Sequence, residues 1–270
     1  MASSRCRIRD LGNLSGDVLV FGGPYSNLEA TKALFSEADA RNIPIERRIC
    51  TGDAIAYCAS PQETLKAVLA LSVLVAGNCE KQIAQDALDC GCGFEEGTVC
   101  DEMSRGWYPY ANKAVSDGDR MYMASLPDMV VFRHNGLRYC VIHGGATDVS
   151  RFIWPTSATA VFEREVAVIE QEIGKVDAIL SGHCGIAFER HVAGINWINA
   201  GVIGMPPHDG RTEGRYVILG DKGARIERLS YAVEIAAAKM QDAGLTQGYD
   251  RSLQSGMWPS QDILPVEMRR

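Results

Sequence analysis

The residues able to do chemistry in this chain gather in six short glycine-rich segments. These are Gly22-Gly-Pro-Tyr-Ser-Asn27, Gly52-Asp53, Gly77-Asn-Cys-Glu80, His143-Gly-Gly145, Gly182-His-Cys-Gly185 and Asn199-Ala-Gly-Val-Ile-Gly204. Among them, Asp53, Asn78, His143 and His183 offer a carboxylate, an amide carbonyl and two imidazoles, a donor set suited to Zn, Mn or Fe. Glycine lets the backbone turn sharply and aims a neighbouring side chain into a crevice. Cys79 and Cys184 lie inside the same segments. Cys79 could be a nucleophile with its pKa lowered by His143 or His183, could draw the site toward softer ions, or could simply fill volume. Tyr25 could give a phenolate to a metal or a hydroxyl to a phosphate, or pack inward. His208, in Pro206-Pro-His-Asp-Gly210, could reach a substrate phosphate. Arg151, Arg211 and Arg215 could clamp an anion or be solvated surface charges. His134 and His191 fall outside the segments and read as structural or surface residues.

Each segment follows an apolar run, so the elements that place them can be read from hydrophobic period. Residues 17–22 form a short strand pattern, and Asn27 can cap a helix whose Leu28, Ala30, Ala33 and Leu34 fit a 3.6 period. Residues 45–50 read as a second strand, 61–71 as a helix with Pro at its start, 72–76 as a third strand and 80–88 as a helix. That alternation predicts an α/β architecture with parallel pairing. In such sheets ligands bind past the carboxyl ends of the strands, where the six segments can converge.

The pattern breaks at 89–100, a Gly- and Cys-rich stretch without period, and helical spacing returns over 107–126. Together, 88–118 read as an inserted loop and helix able to cover the crevice as a lid. Its Cys90, Cys92 and Cys100 have spacing unlike the C-x₂-C pairs of zinc ribbons. Residues 128–133 and 137–142 form a hairpin around Asn135-Gly136. A helix over 157–173, a strand over 177–180 and strands over 186–192, 195–199, 214–220 and 224–231 follow. A last helix over 232–243 completes a single domain spanning 1–243, and 244–270 form a C-terminal tail, loose or wrapped on the surface.

The chain has 270 residues, 46% hydrophobic and 23% charged, ordinary globular values. With 27 Lys and Arg against 34 Asp and Glu the net charge is −7, which gives no bulk attraction for nucleic acid or an anionic membrane. No apolar run reaches the roughly 20 residues of a membrane span, and the charged start lacks the apolar stretch of a secretory signal. Nine cysteines, an odd count, fit reduced cytoplasmic thiols better than a disulfide scaffold.

Gly-Asp, Gly-Asn, His-Gly and Gly-His in this order, each after an apolar strand, resemble the calcineurin-like metallophosphoesterases, closest to small bacterial members, over roughly residues 17–231. Val18 to Ala30 is similar to that family's strand-plus-Asp-x-His-Gly-Asn opening, Ile49 to Tyr57 to its Gly-Asp segment, and Asn199 to Pro206 with Tyr216 to Leu219 to its closing segment. The resemblance implies an αββα sandwich of two mixed β-sheets flanked by helices. It also implies hydrolysis of a phosphate mono- or diester with divalent metal. The departures are specific. The places of the first metal's Asp and His hold Gly23 and Tyr25, the catalytic His after the Asn is Cys79, and the final His of Gly-His-x-His is Gly185. By this analogy three of four ligands of the first metal are missing, while Asp53, Asn78, His143 and His183 complete the second.

The expectation is therefore a divergent phosphoesterase with one Zn, Mn or Fe ion per chain. Cys79 stands where the family's acid sits and His143 beside it; Tyr25, Cys184 and His208 are additional candidates. The rivals are a non-catalytic descendant that binds a metal or phosphoryl ligand, and a thiol-based enzyme using Cys79. The expected partner is a small phosphorylated molecule, with a homodimer open.

Overall fold

The computed structural model describes residues 6–93 and 96–270. Phe94 and Glu95 of the inserted loop, and the first five residues of the amino-terminal stretch, lie outside the described residues. Two mixed sheets form. One has the order β11 (Gly223–Leu229), β10 (Gly214–Gly220), β2 (Val18–Phe21), β3 (Arg48–Cys50) and β4 (Val73–Leu74), with β2, β3 and β4 parallel. The other has the order β1 (Ile8–Leu14), β5 (Met129–His134), β6 (Leu137–Val141), β7 (Ala178–Ser181), β9 (Ile195–Asn199) and β8 (Phe188–Val192).

Strand alternation explains the layering. Val18 and Val20 turn toward Val130, Phe132 and Leu180 in the core between the sheets. Leu19 and Phe21, on the opposite face, pack against Leu34 and Phe35 of α1 (Leu28–Ala40) and Leu65 of α2 (Pro61–Leu71). On the far side, Cys140, Ile179 and Trp197 pack against Phe162 and Ile169 of α6 (Thr159–Ile173). The result is the expected αββα sandwich. Asn27 caps α1 by accepting a hydrogen bond from the Ala30 N–H at 3.0 Å. The Asn135-Gly136 turn has φ of 50° and 81°, the two left-handed residues that a tight hairpin requires.

Four elements differ from the sequence expectation. β1 is not foreseen, because its Ile8, Leu11 and Leu14 lack a period of two, and the register with β5 shifts between Asp10 and Asn13 at left-handed Gly12. Residues 45–47 form one 3₁₀ turn, leaving only 48–50 as strand. The 107–126 helix is two helices, α4 (Val99–Lys113) and α5 (Asp117–Ser125). Thr98 and Ser116 cap them, accepting from the N–H groups of Asp101 and Asp119. Helix α4 therefore begins at Val99, earlier than the expected 107, and α3 (Asn78–Ala84) precedes this stretch. The tail is not loose either. After α7 (Val233–Asp242) it forms α8 (Tyr249–Ser255), and Leu253 and Leu264 are buried. Cys90 and Cys92 are joined as a disulfide, against the expectation of reduced thiols; the other described cysteines are free.

The six segments emerge at the carboxyl ends of β2, β3, β4, β6, β7 and β9. Glu80 of α3 ties two of them together. One carboxylate oxygen accepts from the N–H groups of Asp53 (2.8 Å) and Gly77 (2.9 Å), the other from that of Ala54 (2.8 Å), and the side chain is fully buried. Truncating it strands three buried donors, each costing on the order of 1–3 kcal/mol. Glu80→Ala is therefore expected to lose at least ~3 kcal/mol in urea unfolding, with Glu80→Gln intermediate; a loss under ~1 kcal/mol for the alanine variant would show that these loops are held elsewhere.

Candidate metal centre

Asp53, Asn78, His143 and His183 meet at one buried point. His143 Nε2 lies 3.0 Å from Asn78 Oδ1, 3.0 Å from His183 Nδ1 and 3.3 Å from Asp53 Oδ2. The ligating atoms of Asp53, His143 and His183 all lie within 4.8 Å of one another. Donors held about 2.0–2.2 Å from a first-row ion stand roughly 3 Å apart, so this spacing fits one ion.

The chemistry of the group points the same way. His143 Nδ1 is 2.7 Å from the Thr51 carbonyl, which can only accept, so Nδ1 carries the hydrogen and Nε2 of the neutral ring is a lone pair. The Asn78 amide donates through Nδ2 to the Cys90 carbonyl at 3.0 Å, which turns Oδ1 toward His143. His183 Nε2 makes no hydrogen bond among the described residues. Asn78 Oδ1, Asp53 Oδ2 and the His143 Nε2 lone pair thus meet His183 Nδ1 out of water, and His183 adds a fourth lone pair when its hydrogen sits on Nε2, an arrangement suited to a cation. Where no ion sits, the proton goes to His143. Burial disfavours its charged ring, but the Asp53 carboxylate prevails and raises its pKa. Burial likewise works against the Asp53 carboxylate, and His143 outweighs it to pull that pKa down. Burial, and then His143, push His183 down to about 3.

The backbone is bent to bring these groups in. Asp53 (φ 57°) and His183 (φ 62°) are both left-handed, a strain that non-glycine residues adopt where a site demands it. Gly52 must lack a side chain, because a Cβ there would stand 2.5 Å from His143 Nδ1.

The remaining candidates divide. Cys79 is beside the centre, its N–H donating to Asp53 Oδ1 at 3.2 Å. Its thiol is not activated: burial and the Asp53 and Glu80 carboxylates push it well up, the reverse of the lowering expected from an imidazole. Cys184 packs with its Sγ 3.3 Å from Asn199 Nδ2, and burial pushes it up to about 12. Tyr25 lies against the centre, and burial followed by Asp53 holds its phenol protonated. Its ring folds back over Gly23, where a Cβ would be 2.6 Å from the Tyr25 Cζ. A Cβ on Gly185 would similarly stand 3.1 Å from the Trp258 ring. Of the three positions where the resemblance expects first-metal ligands, two, Gly23 and Gly185, thus lie beneath aromatic rings, and the third is Tyr25 itself.

His208 is not brought to the metal group. Its Nδ1 accepts from the Trp258 N–H at 2.7 Å, so it anchors the C-terminal segment. Arg151 is engaged with buried Glu165 (3.1 Å) and Arg215 with Asp209 (2.6 Å), so neither is a free anion clamp. His134 is structural, its Nε2 2.9 Å from the Gly16 carbonyl. Sequence reasoning missed Glu80 as a positioning residue, although a Glu three residues after the start of a helix is a recognisable N-terminal signal. It also missed Trp258, which no local pattern marks. Burial, followed by Asp53, lifts Glu80 to about 7 while its three N–H partners favour the carboxylate.

No family model matches the sequence. The uncharacterized protein MJ0912 of Methanocaldococcus jannaschii is 23% identical over 244 residues, 83% of this chain and 91% of that protein. Among solved structures, a metallophosphoesterase from Sphaerobacter thermophilus aligns with a TM-score of 0.68 at 18% identity, covering 90% of this chain and all of that one. The hypothetical protein PH1004 of Pyrococcus horikoshii aligns with a TM-score of 0.72 at 16% identity, over 90% and 99% of the two chains. The resemblance drawn from the sequence segments and the shared architecture agree, and this chain has the metallophosphoesterase fold.

Proposed function

We propose that the protein is a metal-dependent phosphoesterase acting on a small phosphorylated molecule through one divalent ion, Zn, Mn or Fe, held by Asp53, Asn78, His143 and His183. The observation that carries this reading is the convergence of a buried carboxylate oxygen, an amide oxygen and two imidazole nitrogens at ligand spacing. When bound, such an ion supplies Lewis-acid polarisation of a phosphoryl oxygen. The Thr51 carbonyl fixes the His143 tautomer and the Cys90 carbonyl fixes the Asn78 amide. Cys79, protonated and beside carboxylates, is a weak proton donor, so turnover is expected to be slow. The elevated thiols and the absence of any imidazole lowering them weigh against a thiol-based enzyme. Among the described residues no helix is long and apolar enough to cross a membrane. A cytoplasmic setting is part of the proposal; the seven free cysteines favour it and the Cys90–Cys92 disulfide does not.

Elemental analysis should find one ion per chain, lost in His183→Ala. Hydrolysis of a small alkyl phosphate or phosphodiester should rise with Mn²⁺ and fall at least about 100-fold in Asp53→Ala. Tight binding of one ion without any turnover would favour the non-catalytic reading, and two tightly held ions would refute the single-site assignment.

Metal affinity should also depend on pH in a defined way. His143 has its pKa raised in the metal-free protein, so the ion must displace one proton below that pKa. His183 and Asp53 have theirs lowered and release none. Calorimetry in buffers of different ionisation enthalpy should show close to one proton released per ion at mildly acid pH. Affinity should fall about tenfold per pH unit there; two protons released, or no pH dependence, would contradict the arrangement.

A further inference from the structure

Beside Asp53 and His183 opens a cavity of about 60 Å³. Its other walls include Tyr25, Tyr57, Phe152, Val202, Met205 and Trp258, and no Lys or Arg lines it among the described residues. Two of these walls stand over glycines: a Cβ at Gly23 would come within 2.6 Å of the Tyr25 ring, a clash, and one at Gly185 within 3.1 Å of the Trp258 ring, a tight contact. The rings are held in place. Tyr25 meets Tyr57 edge-on with centroids 4.8 Å apart, and the Trp258 indole N–H donates to the Pro206 carbonyl at 2.7 Å. The cavity is thus a built feature in direct contact with two of the metal-binding residues.

We propose that this cavity is a specificity pocket for the substrate, one that takes a short uncharged alkyl substituent on the phosphoryl group; the proposal rests on the phosphoesterase reading above. Three physical points carry it. A phosphoryl group held at Asp53 and His183 places its substituent against apolar walls, where each buried methylene adds affinity. A nucleotide or polyphosphate brings further anionic groups, and here no cation meets them, with Arg151 and Arg215 already paired to carboxylates. The volume is well below the roughly 150 Å³ of a cavity that accepts benzene, so an aryl ring does not fit while Trp258 is seated.

The test uses phosphonates, which are not hydrolysed and so report binding independently of turnover. The Mn²⁺-loaded protein is titrated with inorganic phosphate, methyl-, ethyl-, propyl- and phenylphosphonate, and adenosine monophosphate. Affinity is expected to rise about fourfold per methylene from methyl to propyl, with phenylphosphonate and adenosine monophosphate weaker than propylphosphonate. Trp258→Ala should reverse the order of propyl and phenyl; should that variant fail to fold, the wild-type series decides alone. Phosphate binding with a flat alkyl series, or adenosine monophosphate binding more tightly than propylphosphonate, would overturn the pocket while leaving the metal centre standing. No binding by any of them, phosphate included, would overturn the phosphoesterase reading and the pocket with it.

Discussion

Four potential metal donors brought together away from water are the constraint on which this structure turns. Each costs free energy to desolvate, and three of them, the Asp53 and Asn78 oxygens and His143 Nε2, face one another as acceptors. The loops that carry them must therefore be held by something other than mutual attraction. Glu80 supplies that restraint from beneath, accepting three backbone N–H groups from the segments bearing Asp53 and Asn78. The left-handed turns at Asp53 and His183 show where the chain is bent to satisfy the site rather than itself.

The same geometry explains why the departures from the family's motifs belong together. A side chain at position 23 and the present Tyr25 ring exclude one another, and a side chain at 185 would press on the Trp258 ring. Side chains at both positions would disturb two walls of the cavity. These are coupled substitutions, and their effects are not expected to add. The region beside Asp53 and His183 is apolar, while the side chains of Asp53, Asn78, His143 and His183 converge.

Much of this was legible in the residues. Val18 to Phe21 alternates between two cores because both faces of β2 are covered, and its apolar run says so. Asn27 and Asn135-Gly136 announce their cap and turn through local backbone chemistry. Asp53, Asn78, His143 and His183 could be grouped because each follows an apolar run, and parallel strands end on one side. The illegible parts depend on distant partners. The strand at Ile8–Leu14 is defined by pairing with β5 and not by its own period. Trp258 matters through contacts with Pro206, His208 and Gly185, none near it in sequence. His208 looked like a phosphate ligand because it follows the closing segment, but its Nδ1 accepts from the Trp258 N–H and it is not part of the Asp53–His143–His183 group.

The stretch after α3 shows how a segment without sequence period can still bear on the centre. Cys90 sits beyond the third strand in a stretch without period, yet its carbonyl fixes which end of the Asn78 amide faces His143. Cys92 comes within 3.4 Å of the same Asn78 nitrogen and also lines the cavity. Rotating the amide would present N–H donors to His143 Nε2 and turn a ligand into a competitor for the lone pair. The loop therefore need not move as a lid to influence the site. Holding one carbonyl in place is enough to decide whether the fourth ligand is an oxygen or an N–H group.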